Sequence, residues 1–117
     1  MLLIRDIMYC KPGKVRPMVD KFLAMAKLGE KNGIGKMRIM TDVSAERFWT
    51  IVTEFETPSL EAFMSMGQNA DEMKEFDAIM KGYHDLVDHG RREIYTIEGQ
   101  PRCVDGEQQR GLTLHSA

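Results

Sequence analysis

The sequence has almost no excess charge of either sign and no long apolar run, and both shortages exclude classes of protein. The formal net charge of the 117 residues is -2. A surface that binds nucleic acid carries clustered Lys and Arg, so we expect no nucleic-acid partner. A membrane helix needs roughly 20 consecutive apolar residues, and every apolar run here is much shorter. We therefore expect no membrane association, and the lack of a signal-like start predicts a cytoplasmic protein.

Cysteine is also scarce, with two residues in the chain. Cys10 ends a predicted strand and Cys103 lies in a polar tail, and neither has a CxxC partner or a His at metal-ligand spacing. This favours two free thiols in a reducing compartment, and a disulfide is the alternative. His84 and Asp88 are one helical turn apart, but no further ligand cluster accompanies them. We therefore predict no metal site.

The chain does contain a clear order of predicted elements. A helix with an apolar face follows the turn at residues 11–13. A second helical region begins at Thr57, runs with a break at 67–69 to about His89, and ends at Gly90. Apolar and β-branched residues predict four strands, at 2–9, 34–41, 47–56 and 91–98.

This order predicts an α+β protein with the ferredoxin-like βαββαβ fold and a four-stranded antiparallel sheet. The fold occupies residues 1–98, and residues 99–117 form a polar C-terminal tail or arm. The strands place apolar side chains on both faces of the sheet, as at residues 2–4 and 51–52. Since the helices cover one face only, we predict that a second copy covers the open face and forms a homodimer.

The element order resembles that of the dimeric α+β barrel superfamily, which includes antibiotic biosynthesis monooxygenases, NIPSNAP-type and EthD-type proteins. The segment EFETPSLEAF at 54–63 and the closing strand RREIYTIE at 91–98 carry the resemblance. It implies a ligand site between the sheet and the helices, aromatic or polyketide-like substrates and, as in several members, no metal or organic cofactor. The first strand lacks the asparagine of the haem-degrading members, so haem degradation is not predicted.

The resemblance implies a small-molecule-binding protein with a small hydrophobic ligand. The sharper prediction is a cofactor-independent monooxygenase or isomerase that acts on an aromatic or polyketide-like compound. The alternatives are a non-catalytic ligand-binding protein and a structural dimerisation module with a filled core. The ten methionines do not decide between a ligand-binding protein and a structural module. They suit an adaptable apolar pocket as well as a Met-rich core.

Polar and aromatic side chains placed among apolar ones are the candidates for the site. His84 is the predicted base, because imidazole titrates near neutrality, and Asp6 is the second catalytic candidate. The predicted substrate-binding residues are Trp49, Tyr83, Arg38, Glu54, Phe76 and Met80. The structural alternatives are a core position for Tyr83 and a core or interface position for Trp49. Side chains alternate along a strand, so only one of Arg5 and Asp6 can face the helices, and the sequence leaves the choice open.

Overall fold

The computed structural model describes residues 1–66 and 68–100. Its strands are β1 (Leu2–Cys10), β2 (Met37–Thr41), β3 (Thr50–Thr57) and β4 (Val87–Thr96). Its helices are α1 (Val15–Lys31), α2 (Leu60–Met64), α3 (Ala70–Ile79) and α4 (Tyr83–Leu86). The strands form one antiparallel sheet in the order β2-β3-β1-β4. The predicted four-stranded, ferredoxin-like α+β fold is confirmed.

Helix α1 provides most of the helical part of the core, because its apolar residues recur on one side. Met18, Val19 and Phe22 of α1 are buried together with Met8 and Ile51 of the two central strands. Burial of an apolar side chain of this size stabilises the fold by roughly 1.5–3 kcal/mol. By contrast, α2, α3 and α4 contribute no fully buried residue. The sheet therefore packs closely against α1 and is less completely covered by the second helical region.

Side-chain alternation divides the sheet into a helix side and an open face. Met8 packs into the core under α1, so Asp6, two residues before it, also lies on the helix side. Arg5 consequently lies on the open face. The β1–β3 register continues this division, with Ile51 on the helix side and Val52 on the open face. The structure thus settles the phase that the sequence left open, and Asp6 is the residue that faces the helices.

The open face carries a row of charged side chains across the sheet. Arg5 and Arg38 both donate hydrogen bonds to the Glu54 carboxylate, and the distance from Arg5 Nε to Oε2 is 2.6 Å. Arg5 also lies 3.8 Å from Glu93, measured from Nη1 to Oε1. Apolar side chains stand between these charges, at Leu3, Ile7, Met40 and Val52. The expectation of an apolar open face is therefore correct only in part.

The second helical region ends earlier than predicted. Helix α3 ends at Ile79, α4 is a single turn, and β4 already begins at Val87. Gly82, between the two helices, has a φ of +86°, a left-handed conformation that interrupts the helix. The prediction of a helix to about His89, ended by Gly90, was wrong because backbone pairing with β1 takes these residues into the sheet.

Two strands also begin later than predicted, β2 at Met37 and β3 at Thr50. Trp49, just before β3, has a φ of +65°, which is rare for a bulky side chain. Its carbonyl oxygen accepts a hydrogen bond from the Cys10 N–H at 2.8 Å. The Asp42 side chain accepts another from the Thr50 N–H, also at 2.8 Å. These two bonds fix the backbone of Trp49 and Thr50 where the chain enters β3.

The predicted tail at 99–117 lies outside the described residues, apart from residues 99 and 100, and so does Cys103. Cys10 is a buried free thiol. Among the helices of the described residues, none is long and apolar enough to cross a membrane.

Candidate functional site

A cleft of about 540 Å³ lies between the helix side of the sheet and the second helical region, and we call it the sheet–helix cleft. Five methionines line it: Met8, Met25, Met37, Met66 and Met80. Four phenylalanines complete its apolar wall: Phe22, Phe55, Phe63 and Phe76. Flexible thioethers adapt to the shape of an apolar molecule, and phenylalanine rings offer flat contact surfaces. This wall therefore suits a flat, largely apolar ligand.

The cleft brings together five of the eight side chains that the sequence predicts for the site. These are Asp6, Phe76, Met80, Tyr83 and His84. They meet because Asp6 lies on the helix side of β1, while the other four lie on α3, on α4 and between these helices. The remaining three candidates are Trp49, Arg38 and Glu54, and they do not line this cleft.

Arg92 is a cleft residue that the sequence analysis missed. It lies directly opposite Asp6 in the β1–β4 register. Its Nε donates a hydrogen bond to Asp6 Oδ1 at 2.6 Å, and its Nη2 donates one to Oδ2 at 3.1 Å. The guanidinium carbon is 5.0 Å from the centroid of the Phe63 ring. The hydrogen bond with Asp6 raises the pKa of Arg92, so the guanidinium keeps its charge and forms an ion pair with the Asp6 carboxylate at the cleft.

Tyr83 provides a protonated hydroxyl group at the cleft. Its ring meets the Phe22 ring edge to face, with centroids 6.4 Å apart and an interplanar angle of 84°. Burial raises the pKa of Tyr83, and the negative charge of Asp6 raises it further. The hydroxyl is therefore neutral at physiological pH, and it can donate a hydrogen bond to a ligand.

His84 lies at the exposed rim of the same cleft. Its ring centroid is 5.3 Å from that of Tyr83, and the two rings are 76° apart. An exposed imidazole can exchange protons with both solvent and a bound ligand. The two oxygens of Asp6 already accept hydrogen bonds from Arg92. Asp6 is therefore held in an ion pair with Arg92, whereas His84 is exposed at the rim.

Arg38 and Glu54 belong to the open face, and strand alternation explains why they do not reach the cleft. The Glu54 side chain is only 6% exposed, and it accepts hydrogen bonds from Arg5 and Arg38. Burial raises the pKa of Glu54, but the hydrogen bonds and charges of the two arginines outweigh burial and hold the pKa below its ordinary value. Trp49 precedes β3 and remains 44% exposed. A role for these three residues in ligand binding at the cleft is not supported by their positions.

A smaller cleft of about 310 Å³ adjoins the first, and we call it the apolar side cleft. The two clefts share four lining residues: Met25, Met37, Met66 and Phe76. Beyond them, the side cleft is lined by Leu28, Gly29, Asn32, Ile34, Glu72 and Met73. It lies between α1, α3 and the start of β2, and most of its wall is apolar.

The metal interpretation of His84 and Asp88 finds no support in the described residues. Within 1–66 and 68–100, no group of three or more His, Cys, Asp and Glu side chains is arranged to hold a metal ion. Asp88 lies in β4, where the Arg47 guanidinium donates a hydrogen bond to it at 3.4 Å. The helical spacing between His84 and Asp88 that the sequence indicates is therefore not formed.

Solved structures from other organisms share this fold. A NIPSNAP family protein from Agrobacterium tumefaciens is 11% identical, with a TM-score of 0.71 over 86% of this chain and 96% of that chain. A candidate antibiotic biosynthesis monooxygenase from Deinococcus radiodurans is 11% identical, with a TM-score of 0.61 over 91% of this chain and 100% of that chain. A dimeric ferredoxin-like protein from an uncultured marine organism is 13% identical, with a TM-score of 0.50 over 86% of this chain and 97% of that chain.

No family model and no curated protein matches the sequence. Identities this low show a common fold and nothing about activity. The chain therefore has the ferredoxin-like fold found in NIPSNAP proteins and in proteins similar to antibiotic biosynthesis monooxygenases.

Proposed function

We propose that this protein binds a small, largely apolar and planar compound in the sheet–helix cleft. The observation that carries the proposal is the composition of the cleft, which combines a wall of methionines and phenylalanines with a few convergent polar groups. Those polar groups are the Asp6–Arg92 pair, the Tyr83 hydroxyl and the His84 ring. A mostly apolar wall with a few placed polar groups is typical of small-molecule sites, whose volumes are about 300–1,000 Å³.

The catalytic form of the proposal is a cofactor-independent monooxygenase or isomerase. His84 would remove a proton from an acidic substrate, such as a phenol or an activated carbonyl compound. In a monooxygenase the resulting anion would add molecular oxygen to form a hydroperoxide, which loses water to leave a ketone or quinone, so the substrate supplies all the electrons. In an isomerase the anion would regain the proton at another carbon. The oxygenase class is chosen by analogy with the Deinococcus radiodurans structure, a candidate antibiotic biosynthesis monooxygenase that shares the fold. Asp6 would act chiefly through Arg92, because that pair fixes the position of the guanidinium group.

A non-catalytic ligand-binding protein is the second candidate, because the same cleft serves binding without turnover. The open position of the cleft under α3 and α4 favours either binding function over a dimerisation module with a filled core. Only turnover separates an enzyme from a binding protein.

We include homodimerisation through the open face in the proposal. Ile7, Val52 and Met40 stand side by side on three neighbouring strands, and we call them the apolar row. Ile7 is only 9% exposed, so a second sheet packed on this row would remove from water chiefly the exposed parts of Val52 and Met40. The dimeric description of the marine ferredoxin-like protein supports this assembly. A cytoplasmic location remains a prediction from the sequence.

Isothermal titration calorimetry with naphthol, a planar and weakly acidic aromatic probe, tests the binding proposal. Wild-type protein should bind naphthol, and Met80→Trp should weaken binding about tenfold or more by filling the cleft. Met64→Trp is the matched control, because Met64 is 72% exposed and lies outside the cleft. Absence of heat with folded wild-type protein, or equal loss in both variants, would contradict binding in this cleft.

A further inference from the structure

The sheet–helix cleft and the apolar side cleft differ in chemistry, although they adjoin. The first holds a fixed guanidinium group, at Arg92, among its polar groups. The second extends between α1 and α3, past the shared side chains, to Leu28, Ile34 and Met73. Polar groups at one end and an apolar extension at the other define a site with two unlike ends.

We infer that the ligand is amphipathic, with an oxyanion head of the carboxylate or phenolate class at Arg92 and an apolar tail in the side cleft. This inference rests on the proposed function, because it assigns the chemical class of the ligand to the same site. It adds a second binding region that a compact aromatic compound alone would not fill.

The case for the oxyanion head comes from the orientation of Arg92. A guanidinium group has five N–H donors in a planar fork, and Asp6 uses the edge formed by Nε and Nη2. The Nη1 side of the fork remains to be used by a ligand oxygen. Contact with Phe63 and the bond to Asp6 fix the plane, so little ordering is needed when the ligand binds. Asp77 also lines the cleft, and solvent screens its charge as it screens that of the 52% exposed Arg92, so the directed N–H donors of Arg92 and not net charge select the oxyanion.

The case for the tail comes from the shared wall. Side chains of Met25, Met37, Met66 and Phe76 line both clefts, so the two spaces adjoin at these four side chains. Flexible methionines allow a chain to pass between the two spaces. An alkyl or aryl tail placed there would gain the free energy of burial without requiring a polar partner.

Gly29 offers a way to close the side cleft alone. It lines this cleft and not the larger one. A Cβ atom on Gly29 would lie 3.7 Å from Ile34 Cβ, an ordinary contact, so a larger side chain there extends toward the wall of the cleft. The substitution Gly29→Leu also suits the helix, since leucine is a better helix former than glycine. Ala24→Leu, at an exposed position of the same helix, is the matched control.

Titration calorimetry with benzoate, para-hexylbenzoate and para-hexylbenzyl alcohol tests both ends of the site. Wild-type protein should bind para-hexylbenzoate more tightly than benzoate, by up to about fourfold for each CH₂ group buried. It should also prefer the carboxylate to the alcohol of equal chain length. Gly29→Leu should remove the advantage of the hexyl chain and leave benzoate binding unchanged, whereas Ala24→Leu should have neither effect.

Arg92→Met should abolish the preference for carboxylate over alcohol, while Arg91→Met, on the open face, should retain it. If Arg92→Met is unstable because Asp6 is left unpaired, the double variant Asp6→Asn/Arg92→Met removes both charges and tests the same preference. Equal binding of benzoate and para-hexylbenzoate, or of acid and alcohol, by wild-type protein overturns the inference. Naphthol binding then still supports the proposed function, whereas failure of naphthol to bind means that the proposed function fails too.

Discussion

Gly90 of β4 lies so close to Ile7 of β1 that a Cβ atom on Gly90 would be 2.8 Å from the Ile7 carbonyl oxygen. The same atom would be 3.2 Å from Met8 Cγ. Gly90 pairs with Met8 in the β1–β4 register, and Met8 lines the sheet–helix cleft. This glycine therefore permits the close strand approach that places one wall of the candidate site.

Gly90→Ala should lower the free energy of unfolding by about 1–3 kcal/mol, because the added methyl group must displace backbone as well as a side chain. Urea denaturation followed by circular dichroism measures the change. Gly99→Ala is the control, since nothing lies within 4 Å of a Cβ atom at Gly99. Equal free energies of unfolding for the two variants would show that β1 and β4 move apart to accept the methyl group without loss of stability. The close approach at Gly90 would then not be required for stability.

Glu54→Gln should destabilise the protein by about 1–3 kcal/mol near neutral pH, because Arg5 and Arg38 lose a charged hydrogen-bond partner. The effect should depend on pH in a defined direction. The folded pKa of Glu54 lies below its ordinary value, so its contribution is complete above about pH 4.3 and is lost as the pH falls through the folded pKa. The stability difference between wild type and Glu54→Gln should consequently shrink in acid.

Urea unfolding of both proteins over a range from neutral to acidic pH measures this difference. Taking the difference between the two proteins removes the contribution of other carboxylates, such as Glu93, whose pKa is also lowered. Glu56→Gln is the control, because Glu56 lies on the same strand and is exposed. A difference that stays constant or grows toward acid would show that the Glu54 charge does not stabilise the folded state.

The order of the elements could be predicted because it depends on local patterns. The three- and four-residue spacing of Met18, Val19 and Phe22 is enough to give α1 its buried face. The start of β4 could not be predicted in this way. Gly90 reads as a typical helix end, and only its contact with Ile7 on a distant strand shows that it belongs to the sheet.

The sequence could predict candidate site residues, but it could not predict which face of each strand points toward the helices. Both phases of β1 contain apolar residues, so no local rule selects Asp6 over Arg5 for the helix side. Without knowing which side chains of each strand face the helices, the sequence could not identify Arg92 as the partner of Asp6. For the same reason it could not show that Arg38 lies outside the cleft. Tyr83 depends less on the phase, because a helical stripe has a single apolar side.

His84→Ala should reduce turnover about 10²–10⁴-fold if the cleft is catalytic, because removal of a general base has effects of this size. The measurement is the initial rate of oxygen or substrate consumption with a panel of phenols and activated carbonyl compounds. The unfolding midpoint should change little, since His84 lies at the exposed rim. His89→Ala, on the open face, is the control. Turnover that persists in His84→Ala would exclude His84 as the base.

Val52→Asp should convert the proposed dimer into a folded monomer. Val52 is the centre of the apolar row, directly between Ile7 and Met40 in the register. If a second sheet covers this position, a carboxylate there is buried without a partner, which costs roughly several kcal/mol. In a monomer the same carboxylate faces water. Sedimentation velocity at micromolar concentration measures the assembly, and circular dichroism measures the fold.

Ile51→Asp provides the contrast, because Ile51 lies one residue away on the helix side and is 0% exposed. A charge at Ile51 should unfold the protein whatever its assembly, since the core cannot hydrate it. The pair of variants therefore separates loss of assembly from loss of fold. A wild-type monomer at micromolar concentration, or a Val52→Asp protein that stays dimeric, would rule out assembly through the apolar row.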